Sequence, residues 1–210
     1  QIVDHLRTFS FIDDIVIWNN NSSINLSQHV KGRDITIIQS PSNMGTYGRF
    51  LCTSHARNAC VYTQDDDCLA QDIIKLYESF VSDPTKLCHG FNETCFANQR
   101  QFEHGTAYSA LLGWGAFFQK EWIDVFKKYK DEYGTDTLLL SKADHIFSIL
   151  LNSKHTTLLT NIEYLPGVSG AEATWIHPNH QEKVIKAKSR ALELLGISYK
   201  ETSSISIKDA

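Results

Sequence analysis

The chain is poor in several things that would point to particular classes of protein. It carries one Met and four Pro in 210 residues, which excludes collagen-like and Pro-rich architectures. No run of apolar residues is long enough to cross a membrane as a helix. Positive charge is also scarce: 20 Lys plus Arg stand against 24 Asp plus Glu, a formal net charge of −4. Bulk binding to nucleic acid therefore lacks its usual electrostatic drive. The five cysteines form no Cys-x-x-Cys pair, so a structural zinc site has no ligand frame. Cys88 and Cys95 could close a disulfide, and the odd count leaves at least one free thiol. Neither a phosphate-loop motif nor a G-x-G-x-x-G fingerprint occurs. No internal repeat or low-complexity block is visible.

What remains is an ordinary globular composition, 42% hydrophobic and 21% charged, with length for one domain and an ample core. The order of elements alternates. Residues 1–10 read as the end of a helix. The apolar runs 14–18 (DIVIW) and 35–38 (ITII) read as buried strands. A helix is expected over 48–59, a third strand over 59–64, and an amphipathic helix over 69–82 that ends at Asp83-Pro84. Further helices are expected over 121–133, 142–152 and about 179–196, with short strands and loops between 86 and 118. A glycine-bearing loop, Pro166 to Gly170, precedes the last helix. Strand–helix alternation argues for an α/β fold whose first half is largely parallel.

In such sheets ligands bind beyond the carboxyl ends of strands. Two polar clusters stand at such ends: Asn19-Asn20-Asn21 after DIVIW, and Asp65-Asp66-Asp67 after ACVYT. Three consecutive aspartates repel one another and raise each other's pKa. A divalent cation relieves that, and Mg²⁺ or Mn²⁺ often binds one or two carboxylates plus substrate phosphates. The same triplet also fits a solvated turn that caps the next helix. Trp114 lies between Gly113 and Gly115. It fits core packing, or a platform on which a sugar stacks.

Several blocks, in order, resemble the exostosin-like glycosyltransferases, glycosyltransferase family 64 of the GT-A superfamily. They are DIVIWNN, PSNMGTYGRF, YTQDDDCL, YSALLGWGAFFQKEW, KADHIFSILL and HPNHQEKVIKAKSRALELLG, and they reach from about residue 12 to residue 196. The resemblance implies a single GT-A domain over residues 1–210, a Rossmann-like mixed sheet flanked by helices. It implies a nucleotide-sugar donor (a UDP-sugar rather than a GDP-sugar), a glycan or glycoconjugate acceptor, Mn²⁺ or Mg²⁺, and retention of configuration. A nucleotide- or glycan-binding relative without turnover, or an inverting transferase, are the alternatives.

The roles that follow are the family's. Asn19 or Asn20 would touch the base, and Asn43 and Arg49 the nucleotide. Asp65 belongs to the donor-binding strand end, Asp66 would meet the ribose or the transferred sugar, and Asp67 would ligate the metal. Asp144 would stand near the anomeric carbon. Lys183 or Lys186 would support the leaving diphosphate, and His177 or His180 would add a metal or phosphate contact. The resemblance also implies the lumen of the Golgi or endoplasmic reticulum, with which four Asn-x-Ser/Thr sequons agree: Asn20, Asn21, Asn25 and Asn92. The sequence departs from the family pattern at three points. Ala143 replaces the Glu before the catalytic Asp, the last-helix Arg has no clean match, and one extra residue lies between Asn43 and Arg49. The family's usual first strand is expected ahead of residue 1.

Overall fold

The computed structural model describes residues 1–91, 110, 112–152, 155–165 and 179–197. A short helix α1 (Ile2–Leu6) leads to strand β1 (Ile15–Asn19), which pairs in parallel with β2 (Ile35–Gln39). Helix α2 (Gly48–Thr53) follows. Next come β3 (Cys60–Thr63), β4 (Cys68–Ala70), α3 (Ile73–Ser82) and β5 (Leu87–Phe91). Strand β6 (Ala116–Gln119) precedes α4 (Val125–Tyr133) and α5 (Thr137–Leu151). The described chain closes with β7 (His155–Leu159), β8 (Ile162–Tyr164) and α6 (His180–Leu194).

The chain is a mixed α/β protein, and among the described residues its strands form three small sheets. One is β1–β2, one is β3–β6–β5–β7, and one is the antiparallel pair β4–β8. Parallel pairing holds between β1 and β2 and between β5 and β7; β6 runs antiparallel to both β3 and β5. Alternation along β6 builds two cores. Phe118 faces one with Phe50, Phe126 and Phe147, whose rings lie 4.7–6.3 Å from one another. Phe117 faces the other with Ile15, Ile73, Leu76 and Phe80. Helices thus cover both faces of the four-stranded sheet, as an α/β layer arrangement requires.

Four elements differ from expectation, one of them the segment 121–133, which opens as a 3-10 helix over Lys120–Asp124 and becomes α4 only at Val125. The segment 69–82 does not start as a helix. Cys68–Ala70 pairs with Ile162–Tyr164, and α3 begins only at Ile73. Leu69 and Ala70 suit either state, and a distant partner strand decides. Helix α2 stops at Thr53 because the following residues are drawn to β1. The Arg57 amide donates to Asp14 Oδ2 at 3.2 Å, and Asn58 Nδ2 donates to Asp13 Oδ2 at 2.9 Å. Helix α5 starts five residues early, at Thr137, where Asp136 caps it by accepting from the Leu139 amide at 2.9 Å. Cys88 is a buried free thiol in β5, and Cys95 lies outside the described residues.

Candidate functional site

Both polar strand ends line one open cavity of about 1750 Å³. Asn19, Asn20, Asn43, Arg49, Asp65, Asp66, Asp67 and Trp114 are all on its wall. The sequence spacing therefore brings eight of the expected residues together. They do not all present free groups to it. Asn19 is buried; its Nδ2 donates to the Ile24 carbonyl (2.7 Å) and to Gln39 Oε1 (2.8 Å), and its Oδ1 accepts from the Asn21 amide (3.0 Å). Asn20 Oδ1 accepts from Trp18 Nε1 and from the Met44 amide, while its Nδ2 donates to the Gly45 carbonyl. Asn19 thus braces the turn after β1 against β2, and Asn20 ties that turn to the loop between β2 and α2. Asn43 is exposed and accepts from the Gly45 amide at 2.8 Å. Gly45 has φ +54°, and a Cβ there would lie 2.3 Å from the Leu140 carbonyl.

Arg49 is the centre of the site. Its side chain is 11% exposed. Nη2 donates to Asp65 Oδ1 at 2.5 Å, and Nη1 lies 3.4 Å from Asp144 Oδ2. Burial works against its charge, but Asp144 and Asp65 outweigh that and raise its pKa. Arg49 Nε and Nη1 and Asp144 Oδ1 are buried without a hydrogen-bond partner. Unsatisfied buried groups of this kind are costly and point to a missing polar partner.

A kink in α5 positions Asp144. Lys142 has non-helical φ/ψ inside the helix. Thr46 inserts there: its Oγ1 donates to the Leu140 carbonyl at 3.3 Å and accepts from the Ala143 amide at 3.3 Å. Burial, opposed by Arg49, pushes the Asp144 carboxyl up to about 6. Asp144 is not on the cavity wall; it reaches the cavity through Arg49.

The aspartate triplet does not cap a helix, because β4 intervenes between it and α3. The Asp65 amide donates to the Gly113 carbonyl at 2.8 Å, and a Cβ on Gly113 would lie 2.1 Å from Asp65 Oδ2. Asp66 is exposed. Burial raises the Asp67 pKa, and the charges of Asp65 and Asp66 add to the rise. That is the condition a divalent cation relieves. Among the described residues no group of three or more His, Cys, Asp or Glu is arranged to hold a metal. Asp65 and Asp67 nevertheless suit Mn²⁺ or Mg²⁺, whose remaining oxygens substrate phosphates and water usually supply.

Lys183 and Lys186 line a second, smaller cavity of about 280 Å³ with Asp136 and Arg190. They are not on the wall that carries the aspartates. Arg190 pairs with Asp136 and sits 4.4 Å over the Tyr133 ring, a structural role. His180 Nδ1 lies 2.9 Å from Lys142 Nζ, and His177 lies outside the described residues. Lys142 is the residue that sequence reasoning missed. It is buried, and burial, with the charge of Lys183, lowers its pKa to about 8. Its position two residues before Asp144 was the available signal.

No family model and no curated protein matches the chain. Among the described residues no helix is long and apolar enough to cross a membrane.

Proposed function

We propose that this protein is a metal-dependent glycosyltransferase of GT-A type. It moves a sugar from a UDP-sugar to a glycan or glycoconjugate acceptor with retention of configuration, in the lumen of the Golgi or endoplasmic reticulum. One observation carries the reading. A mostly buried arginine, Arg49, joins the acidic strand end at Asp65 to the mostly buried carboxyl of Asp144, with polar atoms still unsatisfied, at the polar end of a large cavity.

In this reading Asp65 and Asp67 hold Mn²⁺ or Mg²⁺, which when bound neutralises the departing diphosphate. Arg49 offers its spare N–H groups to the donor, whose negative charge grows as the glycosidic bond breaks. The bond from the anomeric carbon to the phosphate oxygen breaks, and the acceptor oxygen bonds to that carbon on the same face. The acceptor proton passes to the leaving phosphate oxygen. Asp144 orients Arg49, and its carboxylate favours positive charge developing on the sugar. Trp114 on the cavity wall is a stacking surface for a sugar ring.

The test is release of UDP from UDP-N-acetylglucosamine, UDP-galactose and UDP-glucuronic acid with MnCl₂, in wild type and Asp67→Ala. Metal-dependent release that the substitution abolishes supports the reading. A second reading, nucleotide binding without turnover, is favoured by Ala143 and by the position of Asp144 off the cavity wall. UDP binding with no release from any of the three donors would select it.

A further inference from the structure

The loop between β1 and β2 holds three Asn-x-Ser sequons: Asn20 with Ser22, Asn21 with Ser23 and Asn25 with Ser27. An asparagine that carries a glycan keeps its side-chain nitrogen in solvent, because the sugar replaces one Nδ2 hydrogen and needs room around it. The three residues differ on that requirement. Asn20 fails it. It is half-buried, its Nδ2 donates to the Gly45 carbonyl at 3.1 Å, and its Oδ1 accepts from Trp18 Nε1 at 3.1 Å and from the Met44 amide at 2.8 Å. A sugar on that nitrogen would push the loop before α2 away from the turn after β1.

Asn21 is exposed, but it stands on the wall of the large cavity beside Asn20, so a glycan there would crowd the candidate site. Asn25 meets the requirement. It is exposed, and it stays off the cavity wall although its neighbours Ile24 and Leu26 line it. Its Nδ2 has no hydrogen-bond acceptor among the described residues, while its Oδ1 accepts from the Ser27 amide at 3.2 Å and from the Ser27 hydroxyl at 2.6 Å. Both bonds reach only two residues along the chain. The turn therefore forms from local contacts alone and is open to the nascent polypeptide before it packs. Within that turn the sequon hydroxyl already touches the amide that reacts.

We propose that Asn25 is an N-glycosylation site, with a lipid diphosphate-linked oligosaccharide as the co-reactant. Asn25 Nδ2 attacks C1 of the first sugar. The N–C1 bond forms, the bond from C1 to the diphosphate oxygen breaks, and the lipid diphosphate leaves with the electron pair. Nδ2 gives up one proton to the glycan-transferring enzyme. Donation from Ser27 Oγ to Asn25 Oδ1 stabilises the negative charge that the amide carries as that proton leaves. The inference rests on the luminal placement within the proposed function and on none of its chemistry.

The test translates the 210-residue chain behind a cleavable secretory leader in the presence of endoplasmic-reticulum microsomes. The leader supplies the lumen and no donor turnover is read, so the outcome is separate from that of the UDP-release assay. Glycosidase treatment in heavy-oxygen water converts each glycosylated Asn to labelled Asp, and peptide mass spectrometry locates it. The expected result is label at Asn25, one glycan fewer in Asn25→Gln and in Ser27→Ala than in wild type, and no loss in Ser27→Thr. Transfer precedes folding, so the count holds even for a variant that does not fold. Absence of label at Asn25, whatever Asn20, Asn21 and Asn92 carry, overturns the inference. So does a glycan count that neither Asn25→Gln nor Ser27→Ala lowers.

Discussion

Replacing Asp144 by Asn removes a carboxyl that the fold buries against Arg49, and the consequence is readable as a pH slope. In the native protein burial raises this carboxyl from 3.8 to about 6. The unfolded chain therefore loses the proton near pH 4, while the native state keeps it until about pH 6. Between those values the native state holds more protons, so stability falls as pH rises and then levels off. At about 1.4 kcal/mol per pH unit, the loss amounts to about 3 kcal/mol. Urea unfolding of wild type and Asp144→Asn at pH 4, 5, 6 and 7 measures it. The difference between the two curves should change by about 3 kcal/mol across the window, in the direction that favours the variant at pH 7. Loss of the Arg49 contact shifts the variant at every pH and leaves this slope intact. Parallel curves would refute the assignment of a raised, buried Asp144.

Lys142→Met should raise stability at pH 7 by up to about 3 kcal/mol, because burial lowers this amine to about 8. The stability of wild type relative to the variant should correspondingly rise between about pH 8 and 10.5, where only the unfolded chain still holds the Lys142 proton. Lys188 and the buried thiols titrate in both and cancel in the difference between the two urea titrations. Phe50→Ala, at a side chain 2% exposed among Phe118, Phe126 and Phe147, should cost about 3–5 kcal/mol in the same assay. Gly45→Ala places a Cβ 2.3 Å from the Leu140 carbonyl at a backbone of φ +54°. It should destabilise the chain by at least about 1 kcal/mol, and calorimetry showing an unchanged melting temperature would contradict the close approach of this loop to α5.

Much of the fold was legible because it is local. β1, β2 and β3 are short β-branched runs bounded by turn residues, and each forms within two residues of its expected place. α3 shows its buried stripe at Ile73, Leu76 and Phe80 once it begins. Misreadings came where a distant partner decides. Cys68–Ala70 becomes a strand because β8 pairs with it, and α2 is cut short by Asp13 and Asp14. The site divides in the same way. Strand ends announced that Asn19–Asn21 and Asp65–Asp67 would share a wall. That Asn19 and Asn20 spend their side chains on their own loop could not be read from composition, since an amide suits a loop and a ligand equally. The convergence of Arg49 with Asp144 depends on a helix kink set by Thr46, and no local pattern marks that pairing.

The most direct test of the central claim is calorimetric titration of UDP, with GDP for comparison, with and without Mn²⁺, on wild type and Asp67→Ala. The account predicts UDP binding that requires the metal and disappears in the variant. Binding of neither nucleotide, or UDP binding that ignores both the metal and Asp67, would contradict it.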